Sequence, residues 1–318
     1  MTMLMKSSAV YLLAIVCSIL VTPAQAVQRA FVASYGSDSN VTSNCPVNLP
    51  CRWFRTAVTV VDPDGEVVAL DTAPYGTVTL TQSISLTAAP GVYAGMSVFP
   101  GATGVTIATP GVNVVLRGLT INSQGGDTGI LMTDGAKLSI ENCIISNFSI
   151  SGSPVNQHGV LVQTTATVRM VNTLVRDSDI GIEIQAGATA DISGSKFLGN
   201  STAGIFANNS IAGTNTAAAV NDTIVVGSGI GIYALADTNT AATKIEIIRS
   251  IVSNTNIGVA VESAVGAASV NIRKSMVTGS STHGLSQLFN GALISYGNNT
   301  LSNNTLNVAG TLTTAPPL

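Results

Sequence analysis

The sequence predicts an all-β protein, a single-stranded parallel β-helix of about ten coils with a short N-terminal capping helix. Three observations carry that prediction. An apolar residue followed five positions later by another returns eight times, at Leu116/Ile121, Ile140/Ile145, Met170/Val175, Ile192/Phe197, Val220/Val225, Ile247/Val252, Ile272/Val277 and Tyr296/Leu301. Between copies stand seven glycines followed by a branched aliphatic: Gly129-Ile130, Gly159-Val160, Gly181-Ile182, Gly204-Ile205, Gly231-Ile232, Gly258-Val259 and Gly284-Leu285. The copies lie 22 to 30 residues apart, the period of architectures in which each repeat buries its core only against its neighbours.

Of 318 residues only 9% are charged, and the net charge is −3. That balance points away from nucleic acid and anionic membrane surfaces as partners. Aromatics make up 4%, so burial must come from ladders of small branched side chains. Residues 1–26 read as a secretory signal, with Lys6, an apolar run from Val10 to Val21, and Ala24-Gln25-Ala26 before the cut. Cys17 leaves with that segment, and bulky Val16 before it argues against a lipidated cysteine. No later stretch has the roughly 18 continuous apolar residues of a membrane span. The expectation is a soluble mature chain from Val27, secreted, periplasmic or at the cell surface.

Residues 27–65 read as an N-terminal cap. Cys45 and Cys51 flank a Pro46 to Pro50 loop, which in an exported chain points to a local disulfide. A metal pair is the alternative, with no His or second Cys pair nearby to complete it. From Arg52 to Val61, the residues Phe54, Ala57, Val58 and Val61 recur at helical spacing, and Asp62-Pro63-Asp64-Gly65 ends the segment in a turn. A helix there would lid the first coil, whose open strand edge otherwise invites pairing. Strand alternation follows at Glu66 to Leu70, Val78 to Leu80, Ile84 to Leu86, Met96 to Val98 and Val105 to Ile107. The β-helix is expected over 66–305, and the Thr-rich tail 306–318 as a loose cap or disorder.

Aligning the copies by their first apolar residue gives columns with physical demands. Two positions on stand Gly118, Asn142, Asn172, Gly194, Asp222, Arg249, Lys274 and Asn298. Most are residues that tolerate a left-handed backbone, as a sharp bend on every coil requires. Seven positions on stand Ser123, Asn147, Asp177, Gly199, Gly227, Asn254, Gly279 and Asn303, again turn formers. Between the bends runs the column Leu119, Cys143, Thr173, Ser195, Thr223, Ser250, Ser275 and Asn299. Cys143 thus reads as a packing residue rather than a nucleophile.

Strand, bend, strand, bend and a Gly-Ile strand in each period resemble the right-handed β-helix repeat of the pectin lyase-like superfamily, over nearly all of the chain after the signal. Arg29-Ala30-Phe31-Val32-Ala33-Ser34, the Cys45 to Cys51 loop, Arg52-Trp53-Phe54 and Tyr75-Gly76-Thr77-Val78-Thr79-Leu80 look like bacterial exported β-helix proteins without an assigned activity. The resemblance implies a right-handed solenoid. It leaves function open among polysaccharide lyases, hydrolases, phage tailspikes and non-enzymatic surface proteins.

Neighbouring coils stack about 4.8 Å apart, so a catalytic site needs ionisable groups on adjacent coils. The outward positions of the Gly-Ile strands are Leu131, Leu161, Glu183, Phe206, Tyr233, Ala260 and Ser286. Glu183 alone is charged, without the second carboxylate, about 5 to 9.5 Å away, that glycoside hydrolysis uses. No ring of Asp and Glu offers a calcium site, and no metal or cofactor is expected. The Asn-x-Asp with paired Asp of the pectin-hydrolysing members is missing, and Arg273-Lys274 has the wrong spacing for their basic clamp. His158 and His283 share a column five coils apart, about 24 Å, and each reads as a turn residue. Asp127 and Asp179 precede their glycines by two, with Gln157 between them under the arc Phe148 to Gln157, roughly 10 Å apart in a regular stack. They join Glu183 and His158 as catalytic candidates, although Asp179 also reads as a turn residue bonding local backbone. On another strand face, Arg169 and Asp191 share a column and are expected to pair.

Leu131, Leu161, Phe206 and Tyr233 form an apolar outward stripe, the candidate binding surface. Either the N-terminal helix, the tail or an Asn208 to Ala217 loop folds over it, or it is a platform for a polysaccharide or surface protein, with Phe206 and Tyr233 supplying flat faces. The expected function is a non-catalytic exported rod for surface, envelope or glycan contact. The alternative is a polysaccharide lyase or glycoside hydrolase acting on an acidic polysaccharide.

Overall fold

The computed structural model describes residues 27–316. The expected signal segment, its cut near Ala26 and Cys17 lie outside the described residues. Three parallel sheets, one of 12 strands and two of 10, wrap a single core. Each coil gives one strand to each sheet in turn. The coil at the centre, for example, runs Thr189–Ser193, Lys196–Leu198 and Ala203–Asn209. The paired apolar positions fall on the first two sheets in the expected register, Leu116 through Ile272 on one and Ile121 through Leu301 on the other.

The bends obey the column demands more strictly than residue type suggests. All eight residues of the first bend column are left-handed, including Arg249 (φ 48°) and Lys274 (φ 50°). In the second, seven of eight are left-handed; Ser123 is the exception, its hydroxyl bonded to Gly126 O and Gly125 N. The glycines of the Gly-Ile pairs serve close approach instead. A Cβ on Gly159, Gly181, Gly204 or Gly231 would fall within 3.0 Å of the next glycine's carbonyl oxygen.

Between the bends the small polar column becomes a buried ladder. Thr173, Ser195, Ser250 and Ser275 each donate a hydroxyl to the carbonyl two residues back and accept the N–H of the ladder residue one coil earlier, whereas Thr223 makes the donated bond alone. The orphan N–H groups of a sharp bend are satisfied inside the core by this means. Cys143 fills the same slot, its Sγ 3.4 Å from Glu141 O, and burial pushes its thiol up to about 11. A protonated, buried thiol is a packing group.

Several expectations need correction. The helix is one turn, Phe54–Ala57, rather than Arg52 to Val61. The β-branched run Val58 to Val61 is poorly suited to helix, and the chain leaves through turns such as Thr59 N to Thr56 O, 3.1 Å. Phe54 nevertheless plugs the core against Tyr75, with ring centroids 5.3 Å apart. The disulfide Cys45–Cys51 is present, Cα atoms 5.1 Å apart. Its loop bonds Phe31 and Ala33 from both cysteines' backbones and covers the edge of the first strand, Arg29–Val32. That strand belongs to the 12-stranded sheet, and so does Leu312–Thr314. Sheet structure therefore crosses both expected boundaries, 65/66 and 305/306. Asn208 to Ala217 is no loop but two strand ends joined by a short turn. Tyr296 leaves the inward column: Ser295 pairs with Ile272, while Lys274 N still reaches Gly297 O at the next bend. One extra residue before that bend re-aims Tyr296 to the half-buried surface.

Candidate functional site

The outward column of the Gly-Ile sheet runs in register from Leu131 through Leu161, Glu183, Phe206, Tyr233 and Ala260 to Ser286. Its four large apolar members are half-buried rather than open. Phe206 and Tyr233 do not offer two flat faces. Their rings stack on each other, centroids 4.7 Å apart and 4° from parallel. In-register coils put like side chains one strand spacing apart, so ring faces meet along the axis and edges point outward. The helical turn does not cover the stripe, because it packs at the other end against Arg29–Val32 and Val78–Leu80.

Among the described residues Glu183 is the buried charged side chain, 5% exposed. Its Oε2 lies 2.7 Å from His158 Nε2, and its Oε1 accepts from Gln185 Nε2 (2.6 Å) and Asn208 Nδ2 (3.0 Å). Burial works against its charge, but the donors His158, Asn208 and Gln185 outweigh it and hold the carboxyl below the usual range. His158 is therefore not a turn residue; it opens the strand His158–Val162 one coil before Glu183 and reaches it diagonally. His283 likewise opens a strand, with its Nδ1 buried and unpartnered. On the far side, the Tyr233 hydroxyl donates to Glu262 on the next coil. Desolvation and that carboxylate push the phenol up.

The column beside it, missed in the sequence, is rich in amides. Gln163 Nε2 donates to Gln185 Oε1 at 3.2 Å, continuing the chain of bonds through Glu183 to Asn208. The Asn208 Oδ1 is buried without a partner. Alternation alone could have placed these residues, two positions beyond the apolar column.

Asp127 and Asp179 are not joined. Asp179 spends its carboxylate on Ser149 Oγ (2.6 Å), Ser201 Oγ (2.9 Å) and Gln157 N (3.0 Å), pinning the arc 148–157 to the stack. Gln157 turns into that arc, accepting from Ile150 N and donating to Val155 O. Asp127 is exposed, and its backbone oxygen accepts from His158 N at 3.3 Å. Of the four catalytic candidates, the fold brings together only His158 and Glu183. On the first sheet, Arg169 pairs with Glu141 at 3.2 Å instead of Asp191. Ser139 and Arg117 already orient Glu141 and, with Arg169, hold its carboxyl below the usual range. Among the described residues no three His, Cys, Asp or Glu side chains are grouped to hold a metal, and no helix is long and apolar enough to cross a membrane.

Similarity to known proteins follows the fold. Among solved structures, the pectate lyase Pel9A superposes with a TM-score of 0.60 at 15% identity, covering 92% of this chain and 78% of its own. XylC in complex with xylose gives 0.59 at 10%, over 87% and 69%. Tailspike protein 2 of Escherichia coli O157:H7 bacteriophage CAB120 gives 0.51 at 12%, over 82% of this chain but 38% of its own. At such identities the likeness establishes architecture. No curated protein sequence matches the chain. The family described as right handed beta helix region matches residues 103–306, and the chain belongs to that family.

Proposed function

We propose that the protein is an exported, non-catalytic rod that holds a glycan against the Gly-Ile sheet. The observation that carries this reading is the placement of the half-buried apolar residues Leu161, Phe206 and Tyr233, with buried Glu183 among them, beside the amide ladder Gln163, Gln185 and Asn208. Apolar ring edges beside fixed amides suit sugar C–H faces and hydroxyls. Support comes also from the similar folds: one was captured with xylose and another is a pectate lyase. A disulfide fits an oxidising compartment. Glycan-array binding by the chain from Val27 should be lost in Asn208→Ala and in Phe206→Ala with Tyr233→Ala. Undiminished binding by both variants would remove the reading.

A lyase or hydrolase acting on an acidic polysaccharide is the second reading, favoured by one observation, the imidazole and carboxylate of His158 and Glu183 at 2.7 Å. A broad polysaccharide degradation screen separates the two. Product release abolished by Glu183→Gln or His158→Gln would select the enzyme. Release unchanged by those variants but lost in Asp127→Asn with Asp179→Asn would move the chemistry to the arc.

A further inference from the structure

Every coil makes its first bend with a left-handed residue, and six of the eight are Gly, Asn or Asp. The two exceptions are consecutive and basic, Arg249 and Lys274. A long side chain in that conformation carries a backbone cost that Asn would avoid, so what the position gains is the charge. Arg273 adds a third cation one residue before Lys274. The extra residue in the last coil turns Tyr296 toward the same place, and together Arg249, Arg273, Lys274, Tyr296 and Asn298 line a surface notch of about 210 Å³.

The charges there do not cancel. Asp222 takes Arg249 bidentately, Nε to Oδ1 and Nη2 to Oδ2, both 2.7 Å. Among the described residues, Arg273 and Lys274 enter no ion pair. Three cations thus face one carboxylate in a chain whose net charge is −3. The notch is smaller than the roughly 300 Å³ at which whole-ligand pockets begin, so it suits one charged substituent with part of its ring. It sits at the bend between the first two sheets, away from the Gly-Ile face.

We propose that Arg273 and Lys274, walled by Tyr296, bind the oxyanion of an acidic sugar, a carboxylate or a sulfate. Arg supplies a planar fork and Lys a point charge, which together hold either group, and Tyr296 gives the ring an apolar wall. This site is independent of the Gly-Ile strip.

The test titrates the chain from Val27, by amide-resolved NMR, with a short oligouronate and its carboxyl-reduced counterpart, and in a second arm with a sulfated oligosaccharide and its desulfated form. Perturbations should centre on Arg249, Arg273, Lys274 and Gly297, weaken with salt, and be absent with both uncharged forms. Which arm binds more tightly identifies the oxyanion. Arg273→Gln with Lys274→Asn should weaken binding about tenfold or more, while Lys274→Arg retains it. Asn is the bend column's own residue, so thermal melting should show that variant folded. Affinity is read from the notch amides alone, and perturbations at the Phe206 and Tyr233 amides report the glycan strip separately, which separates failure here from failure of that strip. At the notch amides, perturbation by the uncharged forms as tight as by the charged, none by either charged form, or full affinity in Arg273→Gln with Lys274→Asn would each overturn the proposal.

Discussion

Two surface regions handle charge in opposite ways. Around Glu183 a nearly buried carboxylate is met by His158, Gln185 and Asn208, whereas at the Arg249 to Lys274 bend cations outnumber carboxylates at the surface, Arg249 and Lys274 exposed and Arg273 half-buried. The difference is one of solvation. A charge removed from water must be matched within the fold, and water tolerates a surplus outside it. The first region accordingly supports the fold, and the second has charge to spare for a ligand.

The comparison breaks most visibly at Glu183. Glu183→Ala leaves His158, Gln185 and Asn208 without their acceptor and should cost about 3 kcal/mol in urea unfolding; a loss no larger than at an exposed site would refute the matching. Because the folded carboxyl is held below its ordinary 4.5, its contribution is complete above that pH and lost as pH falls through the lower folded value. The stability gap between the parent and Glu183→Gln should therefore close only on the acid side. Thr173→Val, deep in the ladder, removes one donated and one accepted bond and should cost about 1–2 kcal/mol. Lys274→Asn should stabilise by about 1 kcal/mol through the relaxed bend, and a destabilised variant would give that lysine a structural role. Asp222→Asn, at a fully exposed pair, should leave the melting temperature in place, while the loss of its negative charge frees Arg249 and tightens binding of the charged oligosaccharides.

The fold was legible in the sequence because its demands repeat. A bend on every coil selects Gly, Asn or Asp at Gly118, Asn142 and Asn172, and a close approach of backbones selects Gly159 and Gly181. The pair His158 and Glu183 was not legible. It joins residues 25 apart on a diagonal between two columns, and reading straight up a column cannot find it. Arg169 escaped for the same reason, since Glu141 lies diagonal to it and Asp191 straight across. Tyr296 was misplaced because a five-residue spacing to Leu301 looks the same with or without an inserted residue before the bend. Repetition encodes the scaffold, and the places where it lapses hold the candidate sites.

The glycine column has a consequence for how damage would spread. From Gly129 to Gly258 each of these glycines meets the carbonyl of the next, so its missing side chain sets the pitch of the rod rather than the shape of one residue. A methyl group at Gly204 would act as a wedge between pages, prying the coil of Gly231 away from its neighbour. The strain would pass to the ladder and to the stacked Phe206 and Tyr233, which bridge the same gap. Such a change, on the inner side of the strand that carries Phe206 and Asn208, would loosen the proposed glycan surface by lengthening the distance over which it is measured.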